Sequence, residues 1–294
     1  MKIINIREEV NTSADSSTCY WCSGKGVVPW CNEGKNDEAI RCTACGIIYM
    51  KNMPSHKELC EKYSMYESNV HKSNIKHNKK RQKMYELELK MVLPFLNSSS
   101  SILDVGCANG DFLELFKELG HTCYGVEIGD ESSNLANKKF KVYHGQFPDL
   151  QINEKFNLII FRGTIEHFLD PKSYLEKAVS LLDDEGLIFI TSTPNSDSIC
   201  CELYRGRWNQ FHPIFHLYHF STGHFDNFFS NHNMHNVYTG FPYLETPYAD
   251  LQNDISLVAK ACHALREGKE IDHDSPAFFK NMMSLIYRKK KDKK

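Results

Sequence analysis

Long apolar runs are missing from this sequence, and so is an excess of charge of one sign. Its apolar runs, such as Leu158–Phe161, are far shorter than the roughly 20 residues that a bilayer-spanning helix needs. Met1–Val10 carries charges where a secretory signal is continuously apolar. The 35 Lys and Arg residues nearly balance 37 Asp and Glu residues, which does not favour a nucleic acid as the main partner. We therefore expect a cytoplasmic protein without membrane insertion, whose cysteines are thiols or metal ligands.

Cysteine is abundant, with 11 residues, of which five lie between Cys19 and Cys45. Cys19 and Cys22 form one Cys-x-x-Cys pair, and Cys42 and Cys45 form a second after 19 intervening residues. Each pair offers two thiolates on one side of a turn, so two pairs can close a tetrahedron around Zn²⁺. Four thiolates leave no open position, and we predict a structural zinc ribbon over residues 1–50. The alternative is four buried free cysteines. We expect the other seven to be small core or surface residues.

The 294 residues allow one large domain with a small one. From Ser100 short apolar runs alternate with amphipathic stretches, which predicts a parallel sheet with helical crossovers. The predicted strands are 102–105, 123–128, 156–161 and 187–191, and the predicted helices are 112–119 and 174–182. A helical linker is expected over 51–97, with Met84, Leu87 and Met91 on one face and its end at Pro94. A C-terminal helical segment with a basic tail is expected over 241–294.

The segment from Ser101 to Gly110 reads as a strand and the loop that opens a helix. Gly106 and Gly110 allow a tight turn and a close ligand approach, but the dinucleotide pattern Gly-x-Gly-x-x-Gly is not met. Asp104 at the strand end suits an amino group, and Glu127, 21 residues after Gly106, can accept ribose hydroxyls. A ligand with an amine, a carboxylate and a ribose but no phosphate fits S-adenosylmethionine (SAM).

This segment closely resembles the first two motifs of class I SAM-dependent methyltransferases. Residues 156–171 and 186–195 resemble the fourth and fifth strands of that family, and 208–221 resembles the substrate-side segment of its bacterial small-molecule subgroup. The resemblance implies an α/β fold, with a Rossmann-like seven-stranded methyltransferase core over 98–240 and a substrate lid over 200–225. The cofactor-binding residues that it implies are Asp104, Gly106, Cys107, Ala108, Gly110, Phe112, Glu127, Ile128, Gln146, Phe147, Arg162 and Gly163. Gln146 stands where the family often has an acidic residue for the adenine amino group.

Histidines crowd the segment expected to face the substrate. A hydroxyl acceptor must lose its proton, and His is the usual base near neutral pH. His216 is the first candidate, with His167 and His219 as further ones. The alternative for each is a role in packing or in lining the substrate. His216 resembles the base histidine of zinc-domain C-methyltransferases that act on nucleotide-linked sugars. Those enzymes have His-Glu-His where this chain has Ile214-Phe215-His216, which argues against C-methylation.

A catalytic metal is a second possibility. Small-RNA 2′-O-methyltransferases and ubiquinone-pathway O-methyltransferases have Glu-x-x-Glu-His at the fourth strand, where a divalent metal binds. Here Gly163 replaces the first Glu, while Glu166 and His167 are present. One of His212, His216 and His219 would have to complete such a site.

Chains that join a zinc ribbon to a methyltransferase core resemble bacterial enzymes that decorate sugars of surface polysaccharides or natural products. From that resemblance we predict O-methylation of a sugar, a nucleotide-linked sugar or a similar small metabolite. An aromatic segment either lines a sugar face or packs as an apolar lid; it contains Trp208, Phe211, Phe215, Tyr218 and Phe220. Three alternatives stay open: sugar C-methylation, RNA 2′-O-methylation with the ribbon as an RNA-binding module, and a non-catalytic adaptor. The oligomeric state is also open.

Overall fold

The computed structural model describes residues 15–32, 38–59, 61 and 75–291. Cys60, most of the first half of the predicted linker and the end of the basic tail lie outside the described residues.

The N-terminal module is a small antiparallel sheet. Its strands are β1 (Asp15–Thr18), β2 (Lys25–Asn32), β3 (Glu38–Cys42) and β4 (Ile48–Met50), and they pair in chain order. The two Cys-x-x-Cys pairs occupy the tight turns before β2 and after β3. Apolar residues from both hairpins, among them Trp30 and Ile48, are buried.

Helix α1 (Ile75–Val92) lies in the predicted linker and ends in a 3-10 turn that contains Pro94. This end confirms the helix boundary expected from the proline, which cannot donate the next helical hydrogen bond. Met84 of the predicted stripe is buried, and so are Tyr85, Glu88 and Val92, whereas Leu87 and Met91 are half-buried. The apolar spacing therefore gave the helix and only part of its packed face.

Helices and strands then alternate to the end of the described chain. The elements are β5 (Ser101–Val105), α2 (Asp111–Glu118), β6 (Thr122–Glu127), α3 (Asp130–Ala136), β7 (Lys141–His144), β8 (Phe156–Arg162), α4 (Pro171–Leu181), β9 (Leu182–Pro194), α5 (Ile199–Tyr204), β10 (Tyr218–His219), α6 (Thr222–Ser230), β11 (Met234–Gly240), α7 (Leu251–Arg266) and β12 (Met282–Lys289).

Seven of these strands form one mixed sheet in the order β11-β12-β9-β8-β5-β6-β7. Strands β7, β6, β5, β8 and β9 are parallel, and β12 runs antiparallel to both of its neighbours. The central strands are buried on both faces, as in Leu158–Phe161, because helices cover the sheet. The predicted α/β, Rossmann-like seven-stranded fold is confirmed.

The C-terminal segment departs from the sequence prediction. Helix α7 accounts for part of the expected helical segment, but β12 lies between β9 and β11 inside the sheet. The expected helical segment is therefore wrong where β12 begins, at 282–285, and the sheet draws on residues beyond 240. Met283–Tyr287 is buried without a break, and a short run of this kind shows no period that separates a strand from a buried helix.

Strand β10 belongs to the other sheet. It pairs antiparallel with β4, so that the N-terminal module and the segment around His219 form a single five-stranded sheet. Within the described ranges, no helix combines the length and the apolar content that a membrane span requires.

Candidate functional site

The loops after β5 and β8 meet at the carboxyl edge of the parallel strands, where ligands bind in open α/β sheets. Gly106 has a φ of +83°, and a Cβ there would lie 2.6 Å from Cγ2 of Thr164. Only glycine fits this turn, because any side chain would collide with the loop that leads to Glu166 and His167. The glycine loop and the histidine-bearing loop are therefore in contact.

Asp104 is a buried carboxyl group at the centre of this edge. Its side chain is 2% exposed, and Oδ1 has no hydrogen-bond partner among the described residues. Burial raises its pKa to about 7, against the lowering effect of Arg162, and Glu127 and Glu88 add to the rise. A buried carboxyl without a partner is costly, and an ammonium group would supply the missing donor. This fits the amino group of SAM.

Glu127 lies at the end of β6 and accepts three backbone hydrogen bonds. Its Oε2 accepts from the N–H of Ala108 at 2.8 Å, and Oε1 accepts from Ile128 and Gly129 at 2.9 and 2.8 Å. These bonds hold the carboxylate across the glycine loop. A ribose contact needs Glu127 to share or exchange some of them.

Arg162, at the end of β8, is held by Glu88 of α1. Its Nε donates to Oε2 of Glu88 at 2.6 Å, and its guanidinium lies over the rings of Tyr85 and Phe112, 4.4 and 5.6 Å from the ring centroids. Glu88 also accepts from the hydroxyls of Thr191, at 3.3 Å, and Ser192. The network places a fixed cation beside Asp104.

The other predicted cofactor residues fall into two groups. Gly110, Ile128, Gln146 and Gly163 lie in loops at the carboxyl edge of the sheet, and Ile128 is 40% exposed. The side chains of Cys107 and Phe147 instead point into the interior: Cys107 packs on Gly125, and Phe147 on Phe161 and Tyr174. These two can contact a cofactor through backbone atoms but not through free side chains.

The three candidate catalytic histidines are brought together. The ring centroids of His167 and His216 are 4.9 Å apart, and those of His216 and His219 are 6.1 Å apart. Nδ1 of His216 lies 2.7 Å from the carbonyl oxygen of Gln210; this bond makes Nδ1 the donor and leaves Nε2 as the acceptor. Burial lowers the pKa of His216 to about 4 and that of His167 well below its usual value, so both rings are neutral near pH 7.

Glu166 joins this cluster. Ligand atoms of Glu166, His167 and His216 lie within 4.8 Å of one another, a spacing that suits a divalent cation. Glu166 is 1% exposed, and burial raises its pKa to about 8, against the lowering effect of its backbone and of the Thr193 hydroxyl. Both ring nitrogens of His219 are buried without a hydrogen-bond partner among the described residues.

The four cysteines of the N-terminal module converge on one point. Sγ of Cys19 lies 3.9 Å from Sγ of Cys45, and Sγ of Cys22 lies 3.7 Å from Sγ of Cys42. A tetrahedral zinc ion with Zn–S bonds of about 2.3 Å separates its sulfurs by about 3.8 Å. The four thiols therefore fit a zinc ion.

The aromatic segment packs against this cysteine module. Trp208, Phe211, Tyr218 and Phe220 are buried, and Phe215 is half-buried. Phe211 contacts Trp30 and Phe220 contacts Trp21, with ring centroids 5.5 and 5.1 Å apart. The sequence left two roles for this segment, lining a sugar or packing as an apolar lid. The four buried rings have the packing role.

Sequence reasoning missed Glu88 and Tyr85, which support Arg162. The available signal was a second stripe on α1, at Tyr85, Glu88 and Val92, with the same helical spacing as the stripe at Met84, Leu87 and Met91. Glu88 interrupts the apolar character of this stripe, and glutamate is rarely buried without a partner.

Comparison with known proteins identifies the family. A family model described as "Methyltransferase domain" matches residues 77–241, more than half of the chain. The ubiquinone biosynthesis O-methyltransferase of Haemophilus ducreyi is 26% identical over 104 residues, which cover 31% of this chain and 44% of that protein. The enzyme of the same name from Bartonella tribocorum is 28% identical over 109 residues, 34% of this chain and 43% of that protein. The match thus spans less than half the length of these relatives.

Solved structures agree at the level of the fold. The 1,6-didemethyltoxoflavin-N1-methyltransferase of Burkholderia thailandensis, with bound S-adenosylhomocysteine, superposes with a TM-score of 0.55 at 15% identity, covering 89% of this chain and 99% of that one. A possible histamine N-methyltransferase from Thermotoga maritima gives a TM-score of 0.50 at 17% identity, covering 72% and 91%. Identities this low establish the fold alone. By the extent of the family match, this chain belongs to the methyltransferase-domain family.

Proposed function

We propose that this protein transfers the methyl group of SAM to a hydroxyl group of a small molecule, and that the acceptor is a sugar, a nucleotide-linked sugar or a similar metabolite. The observation that carries the proposal is the close approach of Gly106 to Thr164. A cofactor on the glycine loop would lie beside the loop that bears Glu166 and His167. Methyl donor and proton acceptor would then share one site.

The chain's own residues supply the contacts that SAM needs. Asp104 would accept from the amino group, Arg162 would donate to the carboxylate, and Glu127 would accept from the ribose hydroxyls. Each of these residues lies at or next to the carboxyl end of a strand of the same sheet. When bound, SAM supplies an electrophilic methyl group on a sulfonium.

The proposed reaction is an in-line displacement. The acceptor oxygen forms a bond to the methyl carbon as the bond from that carbon to sulfur breaks, and S-adenosylhomocysteine leaves. The acceptor proton passes to Nε2 of His216, whose other nitrogen is held by the Gln210 carbonyl. Burial keeps the ring neutral near pH 7, so that Nε2 carries no proton, and it also makes His216 a weaker base than an exposed histidine.

A metal-assisted route is the second candidate, favoured by the convergence of Glu166, His167 and His216. A divalent cation held by these three residues would lower the pKa of an acceptor hydroxyl. The ubiquinone biosynthesis relatives are named O-methyltransferases, which supports an oxygen acceptor in either route. The sugar class rests on the resemblance of the ribbon-plus-core arrangement, and a cytoplasmic location stays a prediction.

Two measurements test the proposal. Calorimetry is expected to show SAM and S-adenosylhomocysteine binding that Asp104→Asn and Glu127→Gln each weaken by about 10-fold or more. Mass spectrometry of a cell extract incubated with the enzyme and SAM labelled in the methyl group is expected to show a labelled O-methyl product. Failure to bind SAM, or binding that neither substitution changes, would contradict the proposal.

The same assay separates the alternatives. Labelled RNA in place of a small molecule would favour an RNA 2′-O-methyltransferase, and a label on sugar carbon would favour C-methylation. SAM binding without any labelled product, over extracts and a panel of nucleotide sugars, would favour the non-catalytic adaptor.

A further inference from the structure

We propose that the cysteine module is a positioning element of the histidine site: its two metal-binding turns each hold one of the two segments that carry the histidines. The first segment is residues 163–171, with His167, and the second is residues 208–224, with His216 and His219. The role of the histidines in catalysis rests on the proposed function. The statement that the cysteine module holds their two segments rests on contacts between described residues.

The first turn holds the first segment. Tyr20 lies inside the Cys19–Cys22 turn, and its hydroxyl donates to Oδ1 of Asp170. Asp170 Oδ1 also accepts from the N–H of Ser173 at 3.0 Å and so caps α4. Tyr20 therefore ties the turn to the point where the His167 loop enters the helix.

The second turn holds the second segment. The carbonyl oxygen of Cys45 accepts from Nε2 of His224 at 3.0 Å. Nδ1 of the same ring accepts from the N–H of Ser221 at 2.8 Å, which fixes the tautomer. Cys45 thus holds the start of α6, which lies three residues after His219.

A backbone path from β4, the strand that follows the second turn, joins both segments. The N–H of Met50, in β4, donates to the carbonyl oxygen of Leu217 at 3.0 Å, and the N–H of Leu217 donates to the carbonyl oxygen of Glu166 at 2.8 Å. His219 itself pairs with Ile48 in the same sheet. The ring of Trp30 lies against His219, with centroids 6.2 Å apart.

These contacts give the metal an indirect role. A bound zinc ion fixes the conformation of both turns, because each supplies two of its four ligands. Tyr20 and the Cys45 carbonyl belong to those turns, so their positions follow the metal. The histidine cluster is then ordered by a metal that does not contact the substrate, and Tyr20 is a positioning residue.

Substitution of a cysteine tests the inference better than a chelator, which would also strip a metal from Glu166, His167 and His216. In Cys22→Ser, measured by hydrogen–deuterium exchange with mass spectrometry, peptides covering 163–171 and 208–224 are expected to exchange about 10-fold faster or more. Peptides covering β5 and β6 are expected to keep their rates, and the SAM affinity is expected to change by less than about 2-fold. This affinity also shows that the core has folded.

Tyr20→Phe supplies a milder test with all four cysteines in place. It removes only the hydroxyl that bonds Asp170, and it is expected to speed exchange in 163–171 and to shift the imidazole ¹⁵N resonances of His167. Tyr49→Phe is the matched control, since it removes a hydroxyl from the same module that has no hydrogen bond to that loop among the described residues. Its His167 resonances are expected to stay in place.

Three results would overturn the inference: unchanged exchange in both segments after zinc is lost, faster exchange spread equally over β5 and β6, or an equal His167 shift in Tyr49→Phe. The proposed function fails separately, if the wild-type protein does not bind SAM. The exchange result then still decides whether the cysteine module orders the histidine segments.

Discussion

Nε of Arg162 donates a hydrogen bond to a buried carboxylate oxygen of Glu88, 2.6 Å away. The two residues are 74 positions apart, and their side chains are 19% and 1% exposed. Within the described part of the chain, Arg162 bonds through Nε alone, which leaves Nη1 and Nη2 for the carboxylate of SAM. The linker helix that carries Glu88 is therefore part of the proposed cofactor site.

Removal of Glu88 alone is expected to be costly. Glu88→Ala leaves the Arg162 cation buried without its partner, and breaking such a pair lowers the free energy of unfolding by about 3–5 kcal/mol. Urea unfolding followed by circular dichroism measures this change. An effect below about 1 kcal/mol would mean that the pair behaves like an exposed ion pair.

The double variant Glu88→Leu with Arg162→Met separates stability from binding. It removes both charges and is expected to recover most of the stability lost in Glu88→Ala. SAM affinity is nevertheless expected to fall by about 10-fold, because the carboxylate loses a charged donor. Wild-type affinity in the double variant would show that the pair has a structural role only.

Because the Asp104 carboxyl is buried, we predict that its ionised form lowers the stability of the ligand-free protein and favours SAM binding. Its pKa in the folded protein, about 7, lies above the ordinary value of 3.8, so the folded state holds the proton more tightly than the unfolded state. Stability from this group is therefore greatest below about pH 4 and declines as the pH rises toward 7. Asp104→Asn removes this cost and is expected to stabilise the ligand-free protein by about 1–3 kcal/mol at pH 8, with little effect near pH 4.

SAM binding is expected to show the opposite effect of Asp104. The ionised carboxylate pairs with the ammonium group, so wild-type affinity should weaken as the pH falls below 7, and Asp104→Asn should bind weakly with little pH dependence. Calorimetry between pH 6 and pH 8 measures both. Asp184→Asn, at an exposed position, is the control, and the same pH profile in wild type and Asp104→Asn would exclude the role given to Asp104.

Short-range sequence patterns predicted the candidate site residues that lie close together in the chain. The Cys-x-x-Cys pairs, the Asp104–Gly106 turn and Glu127 each combine a residue type with a local spacing that few structures other than the observed one satisfy. Strands β5, β6, β8 and β9 were also predicted from the sequence, because buried parallel strands are continuous apolar runs bounded by turns.

Contacts between residues that are far apart in the chain could not be predicted in the same way. Glu88 meets Arg162, Tyr20 meets Asp170 and Met50 meets Leu217 only after the chain has folded, and a single sequence records no signal for such pairs. Strand β12 was mistaken for helix because its buried run has no period. The sequence allowed the aromatic segment either to line a sugar or to pack as an apolar lid. In the structure most of its rings are buried by packing against the cysteine module.

If Glu166, His167 and His216 hold a divalent cation, substitutions of these residues should weaken Mn²⁺ binding selectively. Glu166→Gln and His216→Asn each remove one ligand of the three-residue set and are expected to weaken Mn²⁺ binding by about 10-fold or more, as measured by electron paramagnetic resonance. His212→Asn, outside this set, is expected to bind as the wild type does. If wild-type protein with intact zinc shows no Mn²⁺ binding at millimolar concentration, His216 as a base is the route that stands.

Zinc content tests the cysteine site itself. The purified protein is expected to hold about one zinc ion per chain, measured by inductively coupled plasma mass spectrometry, because the four sulfurs match a tetrahedral site. Cys22→Ser is expected to lose this ion, since a hydroxyl is a poor replacement for a thiolate. Cys31→Ser is the matched control, from a cysteine of β2 that lies between the two pairs in sequence. Equal zinc loss in both variants would mean that either substitution destabilises the cysteine module and that the ion is lost for this reason. Full retention of zinc in Cys22→Ser would mean that the four cysteines are not its ligands.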